Sequence, residues 1–156
     1  MAEEWIRGLK LVLKEGTTFD VYFWNGKVKR YDILWLADKF PQLNALKDRK
    51  LFLKGKLPGW GGVEWNDELD IGIETVYEDG IDVTDEYDDI ENVVIGYFIK
   101  EKRMDLRMSQ QQLAEKIGID QSDLSKIEKG NANPSIRTLK KIAKGLNCKL
   151  SLEFTY

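Results

Sequence analysis

No histidine occurs in the 156 residues, and Cys148 is the single cysteine. Without imidazole neither a Ser-His-Asp nor a Cys-His triad can be assembled, and a lone thiol excludes an intrachain disulfide and any multi-thiol zinc site. Most hydrolase and metalloenzyme chemistry is thereby ruled out. No apolar run approaches the roughly 18 residues that cross a membrane, and Met1–Lys14 lacks the unbroken apolar core of a secretory signal. The expectation is a cytoplasmic, non-enzymatic chain with no metal and no cofactor. Its length allows one compact body or two small ones, and a small body buries only about 60% of its unfolded surface. Neither could house a large catalytic cavity.

Basic residues are missing from one long stretch. Between Lys56 and Lys100 there is no Lys or Arg, while carboxylates accumulate from Glu64 to Glu91. Residues 1–60 carry 12 basic against 7 acidic side chains and residues 91–156 carry 12 against 8, although the whole chain has a net charge of −3. Such asymmetry is a partner signal, modest here because the C-terminal excess is small.

What is present divides in two by period. Leu9, Leu11 and Leu13 alternate with Lys10, Val12 and Lys14, and Phe19–Trp24 is a β-branched and aromatic run. Asn25-Gly26 supplies positive φ for a two-residue type I′ turn, so Phe19–Trp24 and Lys27–Tyr31 are expected to pair antiparallel. Ile33, Leu34, Leu36, Ala37 and Phe40 recur at helical spacing up to Pro41; strand character resumes over Leu51–Leu57 and Gly62–Trp65, around Pro58-Gly59-Trp60-Gly61. Ile73–Gly80 reads as a short helix and Ile81–Glu91 as an acidic, solvated linker whose end can join the next helix.

From Asn92 the period is helical. A first helix carries Ile95, Phe98, Ile99 and Leu106. Ser109 caps a second, with Gln112 completing a capping box, and Gly118 stops it. Asp120 caps a third, with Ile119 and Leu124 placed as a hydrophobic staple, and Gly130 closes it. Pro134 sits in the first turn of a fourth, whose stripe is Ile136, Leu139, Ile142, Ala143 and Leu146. Leu150, Leu152, Phe154 and Tyr156 alternate with polar residues as a last strand.

Residues 109–130 are thus two short helices joined tightly, with Leu113, Ala114, Ile117, Leu124 and Ile127 inward. This segment, with Asn133-Pro134-Ser135 and Leu139 after it, resembles the phage repressor and Cro-type (XRE-like) helix-turn-helix family over roughly residues 93–147. The resemblance implies that the third helix enters a major groove of double-stranded DNA. Gln121 would then read an adenine edge, and Ser122, Ser125 and Lys126 share its exposed face. Gln110 matches the position that clamps a phosphate, and Lys129, Asn131 and Arg137 would touch the backbone. Asp123 departs from the pattern, since a carboxylate near phosphates is repulsive unless it accepts from cytosine N4 or turns away. Arg103 and Glu128 match positions joined by a supporting ion pair.

The expected fold class is therefore α+β. A small N-terminal antiparallel sheet domain with short helices covers 1–85, and an all-α helix-turn-helix domain ending in a β-strand covers 86–156. Through Phe19-Asp20-Val21-Tyr22-Phe23 with Asn25-Gly26-Lys27, then Val63-Glu64-Trp65 and Leu69-Asp70-Ile71, the first resembles a small bacterial domain of unknown role that is coupled to such modules. Family context implies a DNA-binding transcriptional regulator, a repressor or an autoregulating antitoxin, acting as a homodimer. The alternative is an interaction module whose N-terminal domain holds a basic partner protein such as a toxin. An enzyme working through Glu64, Asp67 and Asp70 is the third reading. The five tryptophans, all in the first half, are expected in the core rather than as a base-stacking platform, and Cys148 is expected buried. The final strand either joins the N-terminal sheet or pairs across a two-fold axis.

Overall fold

The computed structural model describes residues 5–59 and 61–155, so Trp60 and Tyr156 lie outside the described residues. The chain forms two compact units, Met1–Ile90 and Glu91–Tyr156.

The first unit is built on an antiparallel sheet of β1 (Gly8–Leu13), β2 (Thr18–Phe23), β3 (Val28–Asp32) and a late edge strand, in spatial order β1-β2-β3-edge. Tyr22 pairs with Val28 across the predicted hairpin. The turn differs from expectation: Gly26 has φ +82 while Asn25 is not left-handed. Gly26 N–H donates to Phe23 O and Phe23 N–H to Lys27 O, which makes a three-residue loop closed by a left-handed glycine. Asn25 is instead held by its side chain, which donates to the Tyr77 hydroxyl at 2.8 Å.

Two further expectations change. The stretch after β3 is a 3-10 turn, Ile33–Leu36, started by Asp32, whose carboxylate accepts from Leu34 N. Pro41 does not end a helix there but opens a second 3-10 segment, Pro41–Lys47. Leu51–Leu57 is not a strand, because the Asp48 side chain caps a single helical turn, α1 (Arg49–Phe52). A two-stranded hairpin, β4 (Gly62–Asn66) and β5 (Leu69–Gly72), and helix α2 (Ile73–Asp79) complete the body. Phe19, Val21 and Phe23 from β2 meet Leu46, Phe52, Val63, Ile71 and Val76 in its core.

Among the described tryptophans only Trp65 is buried; Trp5 and Trp35 are exposed and Trp24 is half-buried. Trp65 is the one whose N–H finds a partner inside, donating to Phe52 O at 2.8 Å. An indole that cannot satisfy its N–H stays at the surface.

The acidic stretch is not a solvated linker. Ile81–Asp82 forms β6, the edge strand paired with β3, and Thr84–Glu86 is a 3-10 turn. Asp20, 0% exposed on β2, accepts from Arg30 Nε at 2.8 Å and Nη2 at 2.9 Å, and from the Tyr87 hydroxyl. Glu86 takes a further Arg30 bond at 2.8 Å, and the Tyr22 hydroxyl donates to Asp89 at 2.7 Å. The Tyr22 and Tyr87 rings meet edge to face at 4.9 Å. Residues 84–89 therefore cover the second face of β2. The charge run is a lid of acceptors over an Arg30 and tyrosine layer, which satisfies a buried carboxylate that would otherwise be costly.

The second unit holds four helices: α3 (Ile90–Asp105), α4 (Gln110–Ile117), α5 (Gln121–Glu128) and α6 (Ile136–Gly145). Its core gathers Ile99, Leu113, Ala114, Leu124, Ile127, Ile142 and Leu146. Pro134 precedes the N-cap, Ser135, rather than sitting in the first turn; the Ser135 hydroxyl accepts from Thr138 N. Ile136, the first residue of α6, is exposed because it lies beyond the end of the core. Cys148 is exposed, not buried: Asn147, at φ 56, ends α6 and turns the chain outward. The predicted terminal strand is not formed, and residues 148–155 carry no regular secondary structure. A strand needs a ladder to join, and this unit offers none. No helix among the described residues is long and apolar enough to cross a membrane.

Candidate nucleic-acid interface

The helical pair forms through local chemistry. The Ser109 hydroxyl accepts from Gln112 N at 3.0 Å while the Gln112 side chain accepts from Ser109 N at 2.8 Å, the full capping box. Gly118, at φ +75, ends α4 in the left-handed conformation that costs glycine nothing. Ile119 and Leu124 then meet in the core. Asp120 holds the N-cap backbone position of α5, yet its side chain accepts no cap bond. The Asp123 and Leu124 N–H groups both go to the Asp120 carbonyl at 3.1 Å, which leaves the carboxylate in water.

This geometry sorts α5 into two faces. Leu124, Ile127 and Glu128 are buried, whereas Gln121, Ser122, Lys126 and, at the C-cap, Lys129 are exposed and Ser125 is half-buried. Spacings of one and four residues put the exposed set on one stripe. Gln110 is half-buried at the first position of α4, Asn131 is exposed just after α5, and Arg137 is exposed in the first turn of α6. Asp123 is the one exposed carboxylate within α5. It lines a hollow of about 300 Å³ with Lys126, Asn133 and Thr138, between α5 and the start of α6.

Beneath the stripe, Arg103 of α3 and Glu128 of α5 are both buried and joined at 2.8 Å. Arg103 Nε lies 3.1 Å from each Glu128 oxygen, and Nη1 donates to Met108 O at 2.7 Å. One guanidinium thus ties α3, α5 and the loop before α4. Glu128 faces inward and its charge is matched there, so the exposed charge of α5 is left to Lys126 and Asp123.

The sequence reading missed Gly96. A Cβ on Gly96 would lie 2.3 Å from Ile127 O and 2.8 Å from Glu128 O, so only glycine lets α3 approach the end of α5. A glycine inside a sixteen-residue helix was the available signal. Lys116 was missed as well: its ammonium donates to Gly145 O at 2.8 Å and satisfies the end of α6.

In the first unit, Glu64 and Asp70 face each other across the β4–β5 hairpin and Asp67 sits in its turn. Lys56 lies 3.5 Å from Glu64. Among the described residues no group of three or more His, Cys, Asp or Glu is placed to hold a metal ion.

Comparison with known proteins gives the following matches. The family model described as helix-turn-helix matches residues 99–152. An uncharacterized HTH-type transcriptional regulator of Archaeoglobus fulgidus is 36% identical over 58 residues, which are 37% of this chain and 82% of that protein. The restriction-modification controller protein C.AhdI from Aeromonas hydrophila is 30% identical, with a TM-score of 0.37 over 38% of this chain and 89% of its own. A solved protein of Nitrosomonas europaea, NE0471, is 17% identical, with a TM-score of 0.36 over 88% of this chain and 83% of that one.

Proposed function

Because this chain belongs to the helix-turn-helix family through its C-terminal unit, we propose that it is a DNA-binding transcriptional regulator. The observation that carries this is the polar stripe Gln121, Ser122, Lys126 and Lys129 on an α5 whose other face is fixed by the core and by Arg103. Gln121 reads adenine by donating to N7 and accepting from the N6 amine, and Lys126 meets a guanine edge or a phosphate. Gln110, Lys129, Asn131 and Arg137 hold the sugar-phosphate backbone and set register. Two copies read half-sites about one helical turn, roughly 34 Å, apart. The finer reading is a repressor, whose occupied operator would overlap the promoter and exclude the polymerase.

Selection of bound fragments from random duplex DNA tests it. The reading expects an enriched two-fold sequence, bound with a log-log salt slope of about −5 if roughly six phosphates are neutralised. Failure to enrich any sequence, or a flat salt response, rejects it.

A second role fits the first unit, which we assign to a basic protein partner. Glu68 and Asp70 line a hollow of about 320 Å³ together with Phe40 and Leu43, and none of its lining side chains is Lys or Arg, although Lys39 stands 5.4 Å from the centroid of the Phe40 ring. Glu86 pairs with Arg30 at 2.8 Å and Asp89 with Lys10 at 3.7 Å, whereas no ion pair joins Glu68 or Asp70 to a cation among the described residues. Co-purification from the native host of a small basic protein that is released by Glu68→Lys supports this role; recovery unaffected by that change removes it.

A further inference from the structure

The β4–β5 hairpin leaves one strand edge open. Its two strands form a sheet of their own, and β4 is flanked by β5 on one side and by a bridge from Lys56 on the other. Glu64 N–H donates to Lys56 O at 2.9 Å and Glu64 O accepts from Lys56 N at 3.0 Å, so Glu64 spends both backbone groups on the side away from β5. Asp70 stands opposite Glu64. It therefore holds a position that bonds nothing on β4, and its own N–H and C=O turn toward the free edge. Gly72, two residues on, turns the same way; its carbonyl starts α2 as the N-cap, which leaves its N–H. No loop or side chain among the described residues takes these groups.

Asp70 and Gly72 are exposed, and both line the hollow that Leu36, Phe40 and Leu43 also line. An unpaired edge beside an apolar hollow suits an extended peptide, which gains affinity from main-chain bonds and specificity from alternate side chains. Pairing fixes which side chain goes where. Residues opposed in an antiparallel pair share a face, so the residue exchanging bonds with Asp70 shares its exposed side, where opposite charge is favoured. The neighbours of that residue share the face of Leu69 and Ile71, which are buried and apolar. The matching strand thus alternates cations with aliphatic residues. A second copy of β5 fits poorly, because its Glu68 and Asp70 would meet the same two carboxylates.

We propose that β5 accepts, in antiparallel pairing, an extended segment of a basic partner protein in which Lys or Arg alternates with aliphatic residues, a cation lying opposite Asp70. This rests on the assignment of the first unit to a basic partner and states how that partner is held.

The probe is the acetylated and amidated peptide Lys-Val-Lys-Val-Lys, titrated into the full chain and followed by amide NMR. The Asp70 and Gly72 amide signals are expected to move most and their hydrogen exchange to slow. In the proposed pairing only the lysine N–H groups face β5. N-methylation at the central lysine is expected to raise the dissociation constant at least about tenfold, through the lost main-chain bond. Methylating both valine nitrogens, which point to solvent, is expected to change it less than about twofold. Asp70→Asn keeps the backbone groups and the exposed position, and is expected to raise it about threefold. Methylated peptides that bind alike, a greater loss from the valine nitrogens, or Asp70 and Gly72 signals that stay in place overturn strand addition. The basic-partner reading fails separately, by recovery of the native partner unaffected by Glu68→Lys.

Discussion

Replacing Arg103 with methionine removes the donors that surround the Glu128 carboxylate, three contacts at 2.8 to 3.1 Å, and also the donor to Met108 O. Glu128 is buried, so solvent cannot replace what is lost. Breaking such a pair from one side costs about 3 to 5 kcal/mol, because the surviving charge stays desolvated. In a unit of this size, 1 kcal/mol corresponds to about 4 °C or more in melting temperature, so Arg103→Met should lower its midpoint by at least about 12 °C. The five tryptophans all belong to the first unit, so far-ultraviolet circular dichroism of the helices, rather than indole fluorescence, is the signal to follow. Replacing both partners, Arg103→Met with Glu128→Leu, should recover most of the loss, since an apolar pair of similar volume needs no compensation. A single mutant that loses less than about 1 kcal/mol, or a double mutant no better than the single, would refute the claim that the pair acts as a buried matched charge.

Gly96→Ala should destabilise the C-terminal unit by about 1 to 3 kcal/mol in denaturant titration, because the added methyl meets backbone carbonyls that cannot move aside. Ser109→Ala should cost about 1 kcal/mol by opening the capping box, and Ser109→Asp should retain part of it. Burial, with Asp89 and Asp20 adding to it, holds the Tyr22 and Tyr87 hydroxyls well above the ordinary tyrosine value. Their contribution to stability is thus complete below about pH 10 and declines as pH rises beyond it. Tyr87→Phe should flatten that alkaline decline in urea midpoints measured from pH 8 to 11, and an unchanged profile would remove Tyr87 from the explanation.

The readings that held were those whose chemistry is short-range. Ser109 with Gln112, Gly118, and Ile119 with Leu124 lie within a few residues of one another, so the chain announces α4 and α5 before any tertiary contact forms. The acidic stretch was misread because its partners are remote: Asp20 and Tyr87 are 67 residues apart, as are Tyr22 and Asp89. A run of carboxylates looks solvated until the sheet that pairs with it is known. The hairpin at Asn25-Gly26 shows a smaller version of the same limit, since a side-chain bond from Asn25 to Tyr77 selects the longer loop. Core assignment of the tryptophans failed where an N–H lacked an internal acceptor, which composition cannot reveal. The polar stripe of α5 was legible for the same reason its buried face was, through period alone, whereas the need for Gly96 emerges only from the approach of two backbones.

The central claim is that the exposed face of α5 reads base edges, and the most direct measurement is the affinity of Gln121→Ala for duplexes that vary one base pair at a time. The account predicts a loss of about 1 to 3 kcal/mol confined to one adenine position, with every other preference intact. An equal loss on all sequences, or none on any, would contradict it.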